Sequence, residues 1–523
     1  MQEVPNSFPR KWLVMTGIGL GVFMSTLDGS IVNISLPTLV DIFHTDLATI
    51  QWVVLSYILV TASLMLTIAR LGDMRGKKKL YLTGLVLFTA GSLLCGTSPN
   101  VYWLIGFRAL QGLGATMMWA LGTALITENF PSSERGRALG LIGSIVAVGI
   151  AFGPPLGGIL IGFTGWRSIF LVNVPIGIVT IWVVSRYVPA SAPKNKQQRF
   201  DLSGALILLL TLGSYAFGMT MGQNLGFGAP TTLALLVAAG VGLVAFVLVE
   251  MRQPEPMVDL RLFRNPLFSI NLLMGFLVFM ALGGTFILPF FLQLVQGYTT
   301  EQVGLLLMVQ PVIVGLLAPI SGALSDRFGS RLISLVGLAI VVAGCLYMST
   351  LTTAVTTLGF GLRLAVFGVG LAIFQSPNNS AIMGAVPHHK LGIASGLIAL
   401  ARTLGQTSGL PLMGALFTAQ VLAASRLSLG SNISLGESFR VTSAPAAALV
   451  SGVNGTYRMA AWVMLASTLL AALALWLDYY KSGAKRKNAE MVKGSAEMEK
   501  QPGAGGMLPD LTAVDEVSGP EST

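Results

Sequence analysis

Two charged residues stand where charge is costly. Asp28 lies deep in an apolar run that opens near Trp12, within the stretch STLDGSIVNISLP. Arg108 lies inside another run, within FRALQGLGA, with Gln111, Gly112 and Ala115 on the same helical face. Most other acids, among them Asp41, Asp46, Asp73, Glu128, Glu134, Asp201, Glu250, Asp326 and Asp478, sit at run ends or between runs. Ionisable groups inside apolar spans are expensive and mark ion or substrate pathways. At ~1.5 Å per residue, Asp28 is roughly 24 Å from the start of its run. Arg108 is roughly 20 Å from the same face of a core about 30 Å thick, so the two share a depth. Burial and a neighbouring guanidinium push a carboxyl in opposite directions. A moving partner or an arriving cation then toggles Asp28 between proton-bound and ionised forms. The plainer readings are an acid that merely neutralises Arg108, and an arginine that merely bonds backbone carbonyls. Arg363 and Arg402 also fall inside apolar runs, with no sequence pattern to assign them.

The elements that must hold these groups follow from composition. The 523 residues are 53% hydrophobic and 10% charged, whereas soluble domains carry about a quarter charged residues. An integral membrane protein is expected. The net charge of +10 comes largely from bases in short loops between apolar runs, which points to membrane topology and away from nucleic acid. Cys95 and Cys345 both fall in apolar runs and read as packing residues, and no Cys/His cluster has metal-ligand spacing. The first run follows Arg10 and Lys11 but is too long for a signal-peptide core, so it reads as a first membrane helix.

With roughly 20 apolar residues needed per crossing, fourteen helices are expected, the first near 12–37 and the last near 457–479. One alternating set of loops holds nearly all the short-loop Lys and Arg, including Arg75, Lys77 to Lys79, Arg135, Arg137, Arg327, Arg331 and Lys390. That set is read as cytoplasmic, which places both termini there. The expected organisation is a cytoplasmic N-terminus (1–11), a six-helix half (12–189), two inserted helices with flanking loops (190–266), and a second six-helix half (267–479) with a long external loop at 425–456. A polar, Gly- and Glu-rich tail (480–523) is expected to be disordered.

An internal repeat supports the halves. Pro131, Gly136, Ala138, Gly140, Leu141, Ile142, Gly153, Pro155 and Gly158 recur without a gap as Pro387, Gly392, Ala394, Gly396, Leu397, Ile398, Gly409, Pro411 and Gly414. LGDMRG at 71–76 is echoed by LSDRFG at 324–329. Repeated halves suit alternating access, in which one half rocks against the other. Gly149, Gly153 and Gly157 form a smooth stripe for close helix packing, Gly158 adjoins it, and Pro154 and Pro155 bend the helix. Met24, Trp52, Tyr57, Gln111, Trp119, Asn271, Phe290, Gln293, Gln310, Gln375 and Asn378 are polar, aromatic or soft residues inside runs. Each is a candidate for a binding cavity, with ordinary packing as the alternative.

Five motifs carry a resemblance: LDGSIVNISLP (27–37), ARLGDMRGKKK (69–79), FRALQGLGA (107–115), GIAFGPPLGG (149–158) and WRSIFLVNVPIG (166–177). Together they resemble the major facilitator superfamily, in particular its fourteen-helix drug:proton antiporters of the quaternary-ammonium efflux type. Ala69 stands where that family usually has Gly. The resemblance implies an all-α integral membrane fold of two six-helix pseudo-repeat halves plus two inserted central helices. It implies a conformational latch at Asp73, Arg75, Gly76, Lys77, Lys78, Glu128, Arg135, Asp326 and Arg327, for which a topogenic basic loop is the alternative. It assigns proton coupling to Asp28 and Arg108, and to the 149–158 motif a role in packing the halves and restricting leak. The implied activity is proton-coupled export of amphipathic, often cationic, small molecules across the cell (inner) membrane. No cofactor beyond the proton gradient and no metal is expected. Small-molecule substrates, protons and the bilayer are the expected partners; nucleic acid is not, the chain is read as a monomer, and a periplasmic adaptor is left open. An exporter of an endogenous lipid or metabolite is the alternative within the class. A channel conflicts with the repeated halves, and an enzyme with the lack of a nucleophile–base pair. No GxxxxGK[ST] points to a nucleotide-driven pump.

Overall fold

The computed structural model describes residues 8–131, 134–190, 202–252, 260–387, 391–429, 442 and 444–498. Its first helices are α1 (Phe8–Ile42), α2 (Leu47–Arg75), α3 (Lys77–Gly96), α4 (Val101–Asn129), α5 (Arg135–Thr164), α6 (Ser168–Leu171) and α7 (Asn173–Tyr187). Next come α8 (Leu202–Leu225), α9 (Pro230–Arg252), α10 (Pro266–Leu282), α11 (Leu288–Leu294), α12 (Thr300–Leu307) and α13 (Val309–Phe328). The series closes with α14 (Ser330–Met348), α15 (Thr357–Gly384), α16 (Leu391–Leu429) and α17 (Ala446–Met498). They make 14 stretches long and apolar enough to cross a membrane. Three crossings are composite: α6 with α7, α10 with α11 through the 3-10 turn Gly283–Ile287, and α12 with α13.

Caps fix several boundaries. The Asp46 carboxylate accepts from the Thr49 backbone N–H at 2.6 Å at the start of α2, and Asn100 accepts from Tyr102 and Trp103 at the start of α4. Thr299 and Gln302 form a reciprocal capping box on α12. Gly76, at φ 95°, ends α2 and starts α3 in a single residue, a conformation that glycine adopts without steric cost.

The glycine stripe of α5 lies on α1. A Cβ at Gly149 would collide with Thr26, one at Gly153 with Ser30, and one at Gly157 with Ile31 and Ile34. The Ser30 hydroxyl donates to the Gly149 carbonyl across this seam at 3.3 Å. The repeat is obeyed in space: on α16, a Cβ at Gly405 would strike the Phe276 carbonyl and one at Gly409 the backbone of Met280, both on α10. Farther along α5, Gly158 abuts Thr300 and Glu301 of α12, and Gly304 abuts Pro154 and Pro155. Backbones thus interlock between the two repeats, at the end of the bundle opposite the N-terminus. Pro154 and Pro155 stay within an uninterrupted helix.

The pair α8 and α9 is joined to the rest through α8, which packs on α2 and α16; Trp52 lies 4.4 Å from Phe217 between ring centroids, and the Tyr215 hydroxyl donates to Ser408 at 2.7 Å. On α9, Val237, Val241, Val244 and Leu248 are exposed, as side chains facing lipid would be.

Two boundaries differ from the sequence reading. The expected loop 425–456 narrows, because α16 reaches Leu429 and α17 begins at Ala446. Asn454, on α17, donates to the Leu351 carbonyl between α14 and α15 (2.9 Å) and accepts from its N–H (3.1 Å). Most of the remaining loop lies outside the described residues. The chain divides into compact units at Ala474. In the second unit the helix continues to Met498, where the composition suggests a disordered tail. The stretch AKRKNAEMVKGSAEM is rich in the strong helix formers Ala, Lys, Glu and Met. Residues 499–523 lie outside the described residues.

Candidate functional site

Asp28 on α1 and Arg108 on α4 form an ion pair, Arg108 Nη1 donating to Asp28 Oδ2 at 2.6 Å. Their side chains are 0% and 1% exposed, so water does not screen the pair. The shared depth read from helix rise is therefore a contact. Around it lies a network of side-chain amides. Asp28 Oδ1 accepts from Gln111 Nε2 at 2.8 Å and from Asn173 Nδ2, at the start of α7, at 2.9 Å. Gln111 also donates to Ser92 of α3 at 2.7 Å, and its Oε1 accepts from Arg108 Nη1 at 2.7 Å. Arg108 Nε donates to the Val53 carbonyl of α2 at 2.9 Å, and its guanidinium lies 4.4 Å over the Tyr57 ring. Five helices thus contribute to one buried anion–cation cluster.

The local sequence accounts for this convergence. Arg108 and Gln111 are three apart on α4 and share a face. Small residues bring the neighbours close: a Cβ at Gly91 would strike the Gln111 backbone, and one at Gly112 the Tyr57 backbone. Asn173, the first residue of α7, is fully buried and carries its amide to Asp28. Asn173 and Ser92 are site members that sequence reasoning did not single out. Asn173 lies within WRSIFLVNVPIG, but nothing in a single sequence gives its rotation toward Asp28. Gln111, expected in a cavity, belongs to this cluster.

The other expected cavity residues scatter. Met24, Tyr57 and Phe290 are buried, Trp119 packs partly buried on the first-half core, and Asn271 donates back to the Leu267 carbonyl at 2.6 Å. Gln293 Nε2 is buried without a hydrogen-bond partner, and the Gln310 backbone lies against Gly368. Gln375 and Asn378 line one recess with Arg402.

At the expected latch, Lys77 pairs with Glu128 at 2.8 Å, and Lys11 with Glu134 at 2.7 Å. Lys78 donates to the Ser185 carbonyl, and Arg75 is exposed. The side chains of Asp73 and Arg135 lie outside the described residues. Asp326 and Arg327 are exposed, Arg327 lies over the Phe328 ring, and neither forms an ion pair among the described residues.

A many-span helical bundle with internal repeats and a buried acid–arginine cluster defines a membrane transporter. The chain matches the model of the Major Facilitator Superfamily over residues 18–410, and it belongs to that superfamily. It is 34% identical to the riboflavin transporter RibZ of Clostridioides difficile (strain 630), over 78% of this chain and 88% of that one. It is 36% identical to the multidrug resistance protein Stp of Mycobacterium tuberculosis, over 79% and 76%. The Streptomyces glaucescens tetracenomycin C resistance and export protein is 32% identical over 79% and 77%. Among solved structures, a bacterial homolog of the human lysosomal transporter Spinster, inward-facing and unoccupied, superposes with a TM-score of 0.65 at 16% identity. That match covers 90% of this chain and 98% of that one, a likeness of fold.

Proposed function

We propose that the protein is a proton-coupled antiporter that exports amphipathic, often cationic, small molecules by alternating access. The observation that carries this reading is the sealed Asp28–Arg108 cluster. A carboxylate held by one guanidinium and two amides, out of reach of water, exchanges its proton only when the helices around it move. That couples protonation to conformation. Names given to relatives, among them a multidrug resistance protein and a tetracenomycin exporter, agree with an export role.

In this reading the basic loops and both termini are cytoplasmic, in the cell (inner) membrane, and the α5–α12 interlock closes the outer end. The Lys77–Glu128 pair and its neighbours hold the cytoplasmic side of the first half. Among the described residues no other acid lies as deep in a span, so monocations are better substrates than dications. The proton gradient serves in place of a cofactor, and the transporter acts as a monomer. The deciding experiment uses the purified full chain in vesicles, with ethidium as substrate and an internal pH dye. The expected result is saturable ethidium flux driven by a pH gradient, with counterflow. Flux indifferent to the gradient, or conduction without counterflow, refutes antiport.

A second reading is favoured by one observation: a relative at 34% identity is named a riboflavin transporter. Under it, the same machinery carries an endogenous metabolite. Gradient-driven flux of riboflavin together with inert ethidium would select it.

A further inference from the structure

Arg108, Arg363 and Arg402 all lie inside membrane spans, and the structure accounts for two of them. Arg108 is neutralised by Asp28. Arg363 donates to the Tyr347 carbonyl at 3.2 Å, the Gly359 carbonyl at 2.9 Å and the Thr350 hydroxyl at 3.4 Å. Arg402 has no such partner. Among the described residues no hydrogen bond or ion pair engages it; its guanidinium lies 4.5 Å over the Phe279 ring, and its side chain is exposed. It opens into a recess between α10, α15 and α16.

The recess is a built site. Its lining holds one cation, Arg402, and no acid. Asn378 lines it at 3% exposure, and its Oδ1 is buried without a hydrogen-bond partner. Gln375 and Asn379 add amides, while Phe279 and Phe374 add apolar faces. Depth is consistent across elements. Arg402 is six residues from the start of its span and Asn378 six from the end of its own, each about 9 Å inside the same end of the bundle. The position of Arg402 is rigidly set, because Gly405, three residues on, brings α16 against Phe276 and Phe279 of α10.

An arginine inside a span, lying over an aromatic face, open to a recess and lacking a counter-charge, is free to take an anion. Its planar fork fits a carboxylate or phosphate oxygen pair. The Asn378 oxygen in turn lacks a donor. We infer that Arg402 and Asn378 form an anion-accepting subsite in the second half, which takes an oxyanion (carboxylate, sulfonate or phosphate) adjacent to a hydrogen-bond donor. This rests on the transporter reading for its biological role, and it widens the substrate class to zwitterions and acidic amphiphiles. The same chemistry is offered by a soluble substrate and by an anionic lipid headgroup.

The test measures equilibrium binding to the purified full-length protein, so a failure of proton coupling leaves it untouched. The probes are rhodamine 110, which bears a free carboxylate, and rhodamine 123, its methyl ester. A charge-assisted hydrogen bond contributes about 1.5–3 kcal/mol. The wild type is therefore expected to prefer the carboxylate by tenfold or more. Arg402→Gln abolishes that preference without weakening the ester, Arg402→Lys keeps part of it, and Asn378→Ala weakens both probes, since its oxygen accepts from a donor the two share. A purely structural arginine would move both probes alike. Titration with phosphatidylglycerol against phosphatidylcholine separates the sources: competition by the former alone assigns the anion to a lipid headgroup, and no competition assigns it to substrate. Failure of the wild type to prefer the carboxylate, including failure to bind either probe, or a preference unchanged in folded Arg402→Gln, overturns the proposal.

Discussion

Replacing Asp28 by Asn tests the buried cluster most directly. The two carboxylate oxygens accept from Arg108 Nη1, Gln111 Nε2 and Asn173 Nδ2. An asparagine offers one oxygen with two lone pairs, so its NH2 must face at least one of those donors. The substitution also strips Arg108 of its counter-charge. Removing one partner of a buried pair costs about 3–5 kcal/mol. Arg108 keeps its bonds to the Val53 carbonyl and Gln111 and its contact with the Tyr57 ring, so the lower end, about 3 kcal/mol, applies. At 1.4 kcal/mol per factor of ten, any step that returns through this state slows by on the order of 100-fold. Proton exchange itself is lost, because an amide neither binds nor releases a proton in this pH range. Asp28→Glu keeps the charge but adds a methylene at a fully buried position, at about 1–3 kcal/mol, and retains part of the activity. The assay is ethidium-induced proton release and efflux in vesicles reconstituted with equal amounts of monodisperse protein. Proton release and efflux undiminished in Asp28→Asn would refute the coupling assignment.

Four further outcomes follow from the same geometry. Arg108→Lys retains more gradient-driven transport than Arg108→Ala, yet less than wild type, since an ammonium keeps the charge but cannot hold Asp28, Gln111 and Val53 in one plane; equal, wild-type-like flux in both would favour a structural role. Gly153→Val forces α5 off Ser30 and Ile31 and lowers thermal stability by about 1–3 kcal/mol while abolishing transport, read by melting temperature and flux. Lys77→Met removes the 2.8 Å pair with Glu128, far from any midplane cavity, and is expected to change turnover several-fold with ligand affinity nearly unchanged; a collapse of affinity at normal turnover contradicts the latch. Truncation after Met498 leaves flux and membrane abundance unaltered, as comparison of the two proteins in the vesicle assay will show.

Much of this protein was legible without coordinates. Fourteen crossings follow from the length and hydropathy of the runs, since lipid leaves a backbone few options besides helix. Asp28 and Arg108 stood out because their charges are costly where they sit, and helix rise alone put them at one depth. The internal repeat, offset by 256 residues from Pro131 to Pro387, has its counterpart in space, Gly405 and Gly409 packing on α10 as Gly149 and Gly153 pack on α1. Depth along a helix axis is a sequence property; rotation about that axis relative to neighbours is not. Only the packing could show that Gln111 faces Asp28 and not a cavity, that Asn173 reaches the same carboxylate, and that Glu301 and Gly304 meet α5. The same holds for the arginines. Arg108, Arg363 and Arg402 look alike in sequence, each a cation among apolar residues. Tertiary contacts give the first a carboxylate, the second a set of backbone and hydroxyl oxygens, and the third an aromatic face and an open recess. A guanidinium's role is set by the oxygens within about 3 Å of it, and those come from helices distant in the chain.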